Sequence, residues 1–195
     1  MTDSRKYSNV LMSGAALAFD DAKHVVLRRC ESEIEKLLMI AFWTRSWTGD
    51  LILADSPMLT GHPLVKTHED LRRLSLEIGQ YTPVVAKQVH VGSYRVDFCI
   101  ASPSLEHFDT LAHLLAVECD GHDFHERTKQ QASRDKSRDR ELMEHGVSVV
   151  RFTGSEIWRD ALGCAEQALR LANKPVQEGL ERKNRSMPWM PERMT

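Results

Sequence analysis

The sequence predicts an α/β fold: a four-stranded mixed sheet flanked by helices. Three observations predict it. An apolar stripe at the helical period lies near the N-terminus, three β-like runs follow in succession, and a fourth β-like run sits between two helical stretches. Gly, Pro, Ser and Asp mark the boundaries between these runs. At 195 residues the chain suits one domain with a real core. Residues 1–19 read as a flexible N-terminal arm and 20–174 as the domain. An insertion occupies about 44–80, after the first helix, and 175–195 reads as a flexible tail.

The elements follow in order. Asp20 to Trp43 reads as a helix that Asp20 or Asp21 can cap. Ile34, Leu37, Leu38, Ala41 and Phe42 share one face, and Glu31 and Glu35 sit at its edge. An acid there can reach into a cleft. Leu51 to Ala54 admits a short strand within the insertion. His68 to Ile78 is a helix stopped by Gly79. Pro83 to Val91 and Tyr94 to Ala101 form a hairpin around Gly92-Ser93. In its second strand Tyr94, Val96, Phe98 and Ile100 are predicted on one face, with Arg95, Asp97 and Cys99 on the other. His113 to Asp120 is the third strand. Leu115, Val117 and Cys119 oppose Leu114, Ala116, Glu118 and Asp120 there. Glu126 to His145 is a polar helix closed by Gly146. Val147 to Phe152 is the last strand. Thr153 and Glu156 form a capping box for a helix that runs to about Ala172.

Composition narrows the function classes. Hydrophobic residues make up 42%, charged residues 28%, and the net charge is -2. These values exclude disordered and fibrous classes. No apolar run approaches the roughly 18 residues of a membrane span. A near-neutral chain has no general attraction for nucleic acid, so such contact needs a local basic surface. Cys30, Cys99, Cys119 and Cys164 are scattered, with no CxxC pair, and no secretory pattern opens the chain. We therefore expect a cytoplasmic protein with reduced thiols.

The acids carry the chemistry. Glu118 and Asp120 are two apart on one strand, so they share a face. Asp97 stands on the less apolar face of the preceding strand. Such carboxylates repel one another unless a cation joins them. An all-oxygen cluster suits Mg²⁺, with Mn²⁺ as a substitute. The bland alternative makes Asp97 an edge residue and Glu118 a cross-strand ion-pair partner of Arg95 or Lys87. Two acids on an otherwise apolar strand favour function, because burying unpartnered carboxylates is costly. The helix from Glu126 carries Arg127, Lys129, Arg134, Lys136, Arg138 and Arg140. It reads as a phosphate-contacting face or as a solvated face with local pairs, Asp135 with Arg138 or Asp139 with Lys136. Cys119, His122 and His125 make a poor zinc site, since no second ligand pair follows.

The stretch Gln88 to Arg159 resembles the very-short-patch-repair-like branch of the PD-(D/E)XK nuclease superfamily. The matching pieces are Tyr94-Arg95-Val96-Asp97-Phe98, Ala116-Val117-Glu118-Cys119-Asp120-Gly121, His125, Asp135, Arg138-Asp139, Leu142, Gly146 to Phe152, and Glu156-Ile157. Upstream, Ser32-Glu33-Ile34-Glu35 resembles the family's first helix and makes Glu35 a better candidate than Glu31. The resemblance implies a restriction-endonuclease-like core of order αβββαβ and Mg²⁺-dependent hydrolysis of DNA, with no organic cofactor. Asp97 would be the principal metal ligand. Glu118 would be a second ligand or hold the attacking water, and Glu35 would complete the outer shell. Two departures stand out. No Pro precedes the Asp97 strand in the superfamily's named position, and Asp120 occupies the superfamily's lysine position. Asp120 would then support the metal, while His125 would serve as general acid or base. Lys87 or Lys129 could replace the missing cation. Lys129, Arg134, Lys136 and Arg138 are the candidate DNA contacts. The alternatives are a nuclease fold that binds nucleic acid without cutting it, or a hydrolase of RNA or another phosphodiester. A nicking monomer and a double-strand-cutting homodimer both fit.

Overall fold

The computed structural model describes residues 20–21, 23–55, 64–78, 82–102, 113–121 and 129–186, without the side chains of 129–133 and 175–186. Its elements are α1 (Glu33–Ser46), β1 (Ile52–Leu53), α2 (His68–Ile78), β2 (Val84–Val91), β3 (Tyr94–Ser102), β4 (His113–Asp120), α3 (Lys129–Glu144), β5 (Val147–Thr153) and α4 (Gly154–Ser186). The strands form one mixed sheet in the order β1-β2-β3-β4-β5. β1 runs parallel to β2, β2–β3–β4 are antiparallel, and β5 runs parallel to β4. The sheet thus has five strands rather than the predicted four. The extra strand is two residues long and lies within the Leu51 to Ala54 stretch that admitted a short strand; it joins the sheet as its edge. It is held by Ile52 N–H to Pro83 O and Ala54 N–H to Val85 O, at 2.8 and 2.9 Å.

Helices cover both faces. On one, α1 and α4 bring Leu38, Phe42, Ile157 and Ala165 against Phe98, Ile100, Leu115 and Val117. The Phe42 and Phe98 rings meet at 5.5 Å in a tilted pair. On the other, Leu71 and Leu74 of α2 and Leu142 of α3 pack on Val84, Ala86, Ala101, Leu114 and Ala116. Leu142 is fully buried, which explains how a helix as polar as α3 stays docked. Among the described residues no helix is long and apolar enough to cross a membrane.

Two predicted boundaries move for local reasons. The helix expected from Asp20 to Trp43 is broken. A helical turn over 23–26 ends before Arg29, which lies at φ 74. Its guanidinium donates to the Gln88 carbonyl at 2.7 Å. α1 then restarts at its own cap: Ser32 Oγ accepts the Glu35 N–H at 3.2 Å and donates to Glu35 Oε1 at 2.9 Å. At the other end, α4 continues past Ala172 to Ser186, where a flexible tail was expected. The segment 175–186 is rich in Gln, Glu, Leu, Arg and Lys, which favour helix.

The predicted capping box opens α4: Thr153 Oγ1 accepts the Glu156 N–H at 3.2 Å, and Glu156 Oε2 accepts the Thr153 N–H at 2.8 Å. A second start lies inside it. Asp160 has non-helical angles (φ −155, ψ 74), and its Oδ1 accepts the Gly163 N–H at 2.8 Å. Asp160 therefore caps the longer part of α4. Asp160→Ala should cost about 1 kcal/mol in urea unfolding; an unchanged midpoint would contradict this capping role.

Candidate active site

Asp97 stands where both ladders of β3 are interrupted. Toward β4 the pairing runs from Ser102↔His113 to Phe98↔Val117. One step further would oppose Asp97 to Glu118. Instead, Asp97 Oδ2 accepts the Cys119 N–H at 2.8 Å. Toward β2, Gln88 falls opposite Asp97, between the pairs Lys87↔Phe98 and Val89↔Val96. Gln88 lies at φ 51, a left-handed conformation that few side chains adopt. The chain changes face here. Phe98 and Ile100 join the α1–α4 cluster, whereas Val96 joins the α2–α3 cluster with Val89 and Val91. The predicted alternation of Tyr94, Val96, Phe98 and Ile100 on one face fails at this break.

Glu118 is buried on β4 and meets a cation from α3. Arg138 Nη2 donates to Glu118 Oε1 at 2.5 Å and to the Arg95 carbonyl at 3.1 Å. Its guanidinium also lies 5.7 Å from the centre of the Tyr94 ring. The next residue on α3, Asp139, pairs with Arg151 of β5. Arg151 is the register partner of Glu118. Adjacent residues of α3 thus reach adjacent strands with opposite charges. Neither Arg95 nor Lys87 pairs with Glu118. Arg95 binds Glu31 at 2.7 Å, and Lys87 Nζ donates to the carbonyls of Val25 and Val26 at 3.1 and 2.7 Å. Lys87 also faces Asp55 at 3.5 Å, and its burial lowers its pKa. It is not the cation of this site.

Burial governs the electrostatics. It pushes the Glu118 carboxyl from the ordinary 4.5 up to about 7; Arg138 opposes the shift, and the nearby Asp97 adds to it. Burial also raises Asp97, against the Cys119 N–H, and Glu35 reinforces the rise. The Cys119 thiol is pushed up by burial and then by Asp97, Glu35 and Glu118. Three carboxylates therefore share one field. Glu35 comes from α1 and is buried; Oε2 accepts the Glu31 N–H at 2.9 Å and Gln88 Nε2 at 2.8 Å.

The other candidates divide. Asp120 is half-buried at the end of β4, in register with Thr153. Arg134 and Lys136 are exposed on α3, whereas Arg138 turns inward to Glu118. His125 and the side chain of Lys129 lie outside the described residues. Sequence reasoning missed two contributors. Gln88 gave no signal, because a left-handed residue inside a strand has no pattern. Arg138 was read as a DNA contact, and its place opposite Glu118 depends on how α3 docks.

The donors suit a hard divalent cation. Asp97 and Glu118 offer only oxygen, and Gln88 Oε1 is buried with no hydrogen-bond partner among the described residues. Mg²⁺ is ordinarily held by one or two carboxylates with water completing its shell. Among the described residues no three His, Cys, Asp or Glu side chains converge as a metal-holding group.

These shifts set a pH dependence. The folded pKa of Glu118 lies above its unfolded value, so the folded state holds an extra proton between pH 4.5 and about 7. This contribution favours folding at the acid end and is lost as pH rises through that window. Asp97 shifts in the same direction. NMR of the side-chain carboxyl carbons should show Glu118 titrating near 7 and moving higher in Arg138→Met. A midpoint at the ordinary 4.5 would contradict the burial argument.

The family model REase_MTES_1575, which describes restriction-endonuclease-like proteins, matches residues 72–171. The match starts within α2, covers β2 to β5 with α3, and ends within α4. It contains Gln88, Asp97, Glu118, Asp120 and Arg138, and leaves out Glu35. Neither the curated proteins nor the solved structures gave a match. The match supports the PD-(D/E)XK superfamily and does not reach the narrower very-short-patch-repair-like branch. With about half of its length matched, and a mixed sheet flanked by helices, the chain belongs to the restriction-endonuclease-like family REase_MTES_1575.

Proposed function

We propose that this protein is a metal-dependent endonuclease that hydrolyses phosphodiester bonds in DNA. One observation carries the reading. In a chain of a restriction-endonuclease-like family, Asp97 and Glu118 are carboxylates of raised pKa at an interruption of the sheet. Acids with pKa values perturbed by burial and a specific charge partner are candidates for a functional site. The motif likeness to the very-short-patch-repair-like branch favours DNA over RNA or another diester.

In this reading Asp97 and Glu118 hold Mg²⁺, for which Mn²⁺ can substitute, and Asp120 supports them from two residues on. When bound, the cation polarises a phosphoryl oxygen and makes water easier to deprotonate. Glu118 would serve either as the second ligand or as the group that holds the attacking water. Glu35 is fixed by Ser32, the Glu31 N–H and Gln88, which suits an outer-shell role. Arg138 brings positive charge to Glu118, as the superfamily's lysine would from position 120. Arg134 and Lys136, both exposed on α3, would contact DNA phosphates together with Lys129. His125 is the candidate proton shuttle. All four cysteines are free, which fits the reducing cytoplasm we propose as the site of action.

A second reading has one observation in its favour: Glu118 already has a cationic partner, Arg138. The fold would then bind nucleic acid without cutting it. Supercoiled plasmid with Mg²⁺ or Mn²⁺ separates the two. The nuclease reading predicts metal-dependent nicking or linearisation, lost in both Asp97→Ala and Glu118→Ala. Cleavage that survives both substitutions means the site is wrong. DNA binding without cleavage of DNA or RNA favours the second reading.

A further inference from the structure

We propose that Gln88 is a further donor of the cation site: its Oε1 supplies a neutral oxygen beside Asp97, while its Nε2 holds Glu35 in place. The inference rests on the metal-dependent reading above.

Four features of Gln88 converge. It is 4% exposed, so its amide is removed from bulk water. Nε2 donates to Glu35 Oε2 at 2.8 Å. Oε1 has no hydrogen-bond partner among the described residues. Register sets it opposite Asp97, at the break in the β2–β3 ladder. A buried carbonyl oxygen left unpaired is costly, and such groups call for an explanation. The backbone adds a second cost, because φ 51 disfavours a side chain of this length. Glycine would satisfy that backbone without strain. Strain of this type gathers at ligand clamps and active sites. The amide is suited to the place. Its donor end neutralises part of the charge on Glu35. Its acceptor end adds an oxygen without adding to the repulsion already felt by Asp97. Amide oxygens are ordinary ligands of hard divalent cations.

The test is a Mn²⁺ titration of the full chain by calorimetry, with melting of each metal-free variant as a fold control. Gln88→Met removes both polar ends at near-constant volume. Gln88→Gly removes the side chain and suits the left-handed backbone, so it serves if the Met variant fails to fold. Both should weaken Mn²⁺ binding about ten- to hundredfold. Gln88→Glu keeps an oxygen there and should bind Mn²⁺ at least as tightly as wild type. If the Met and Gly variants bind like wild type while Asp97→Ala does not bind, the Gln88 proposal falls and the metal site stands. If Gln88→Glu is the weakest binder, Gln88 acts only through Glu35 and donates nothing. If wild type binds no Mn²⁺, or Asp97→Ala binds it normally, the metal site itself is wrong and this inference falls with it.

Discussion

Asp97 and Glu118 are carboxylates on strands whose central side chains, from Phe98 to Ala101 and from Leu114 to Val117, are buried and apolar, and their desolvation shapes the rest of the candidate site. Burial is the leading cause of the raised pKa of each. The fold offsets it only in part, with one backbone N–H for Asp97 and one guanidinium for Glu118. A fold selected for stability alone would gain by replacing such groups with apolar ones. Their place at an interrupted ladder, incompletely compensated, is what the proposed cation site rests on.

Arg138 and Asp139 on α3 tie the helix to the sheet through two ion pairs. Arg138 and Asp139 do not bind each other; they pair with Glu118 and Arg151, which are neighbours across β4 and β5. This arrangement anchors a helix with little apolar surface. It also delivers a positive charge to the acidic site from outside the sheet. Lys87, another candidate for that cation, lies under the turn at 23–26 and braces Val25 and Val26.

The sequence made most of this fold legible. β4 was read with its observed bounds, α2 likewise, and the Thr153–Glu156 capping box opened α4 as expected. These succeed because alternation and capping are local properties. Ser32 and Glu35 carried the same capping signal, which would have split the first helix correctly. β1 was admitted as a short strand over Leu51 to Ala54 but not counted in the sheet, because two residues show no period. Residue types singled out Glu35, Asp97 and Glu118 as a candidate site, and the three carboxyls do share one electrostatic field. The geometry of the candidate site was not legible. The face change at Gln88 and Asp97 breaks the alternation rule itself, and the Arg138–Glu118 pair depends on tertiary docking.

Anomalous scattering from a crystal soaked in Mn²⁺ tests the central claim most directly. The account predicts one strong peak at about 2.1 Å from carboxylate oxygens of both Asp97 and Glu118, the distance expected for a small hard cation. A fully soaked crystal with no peak at that pair, or with its peak elsewhere, would contradict it.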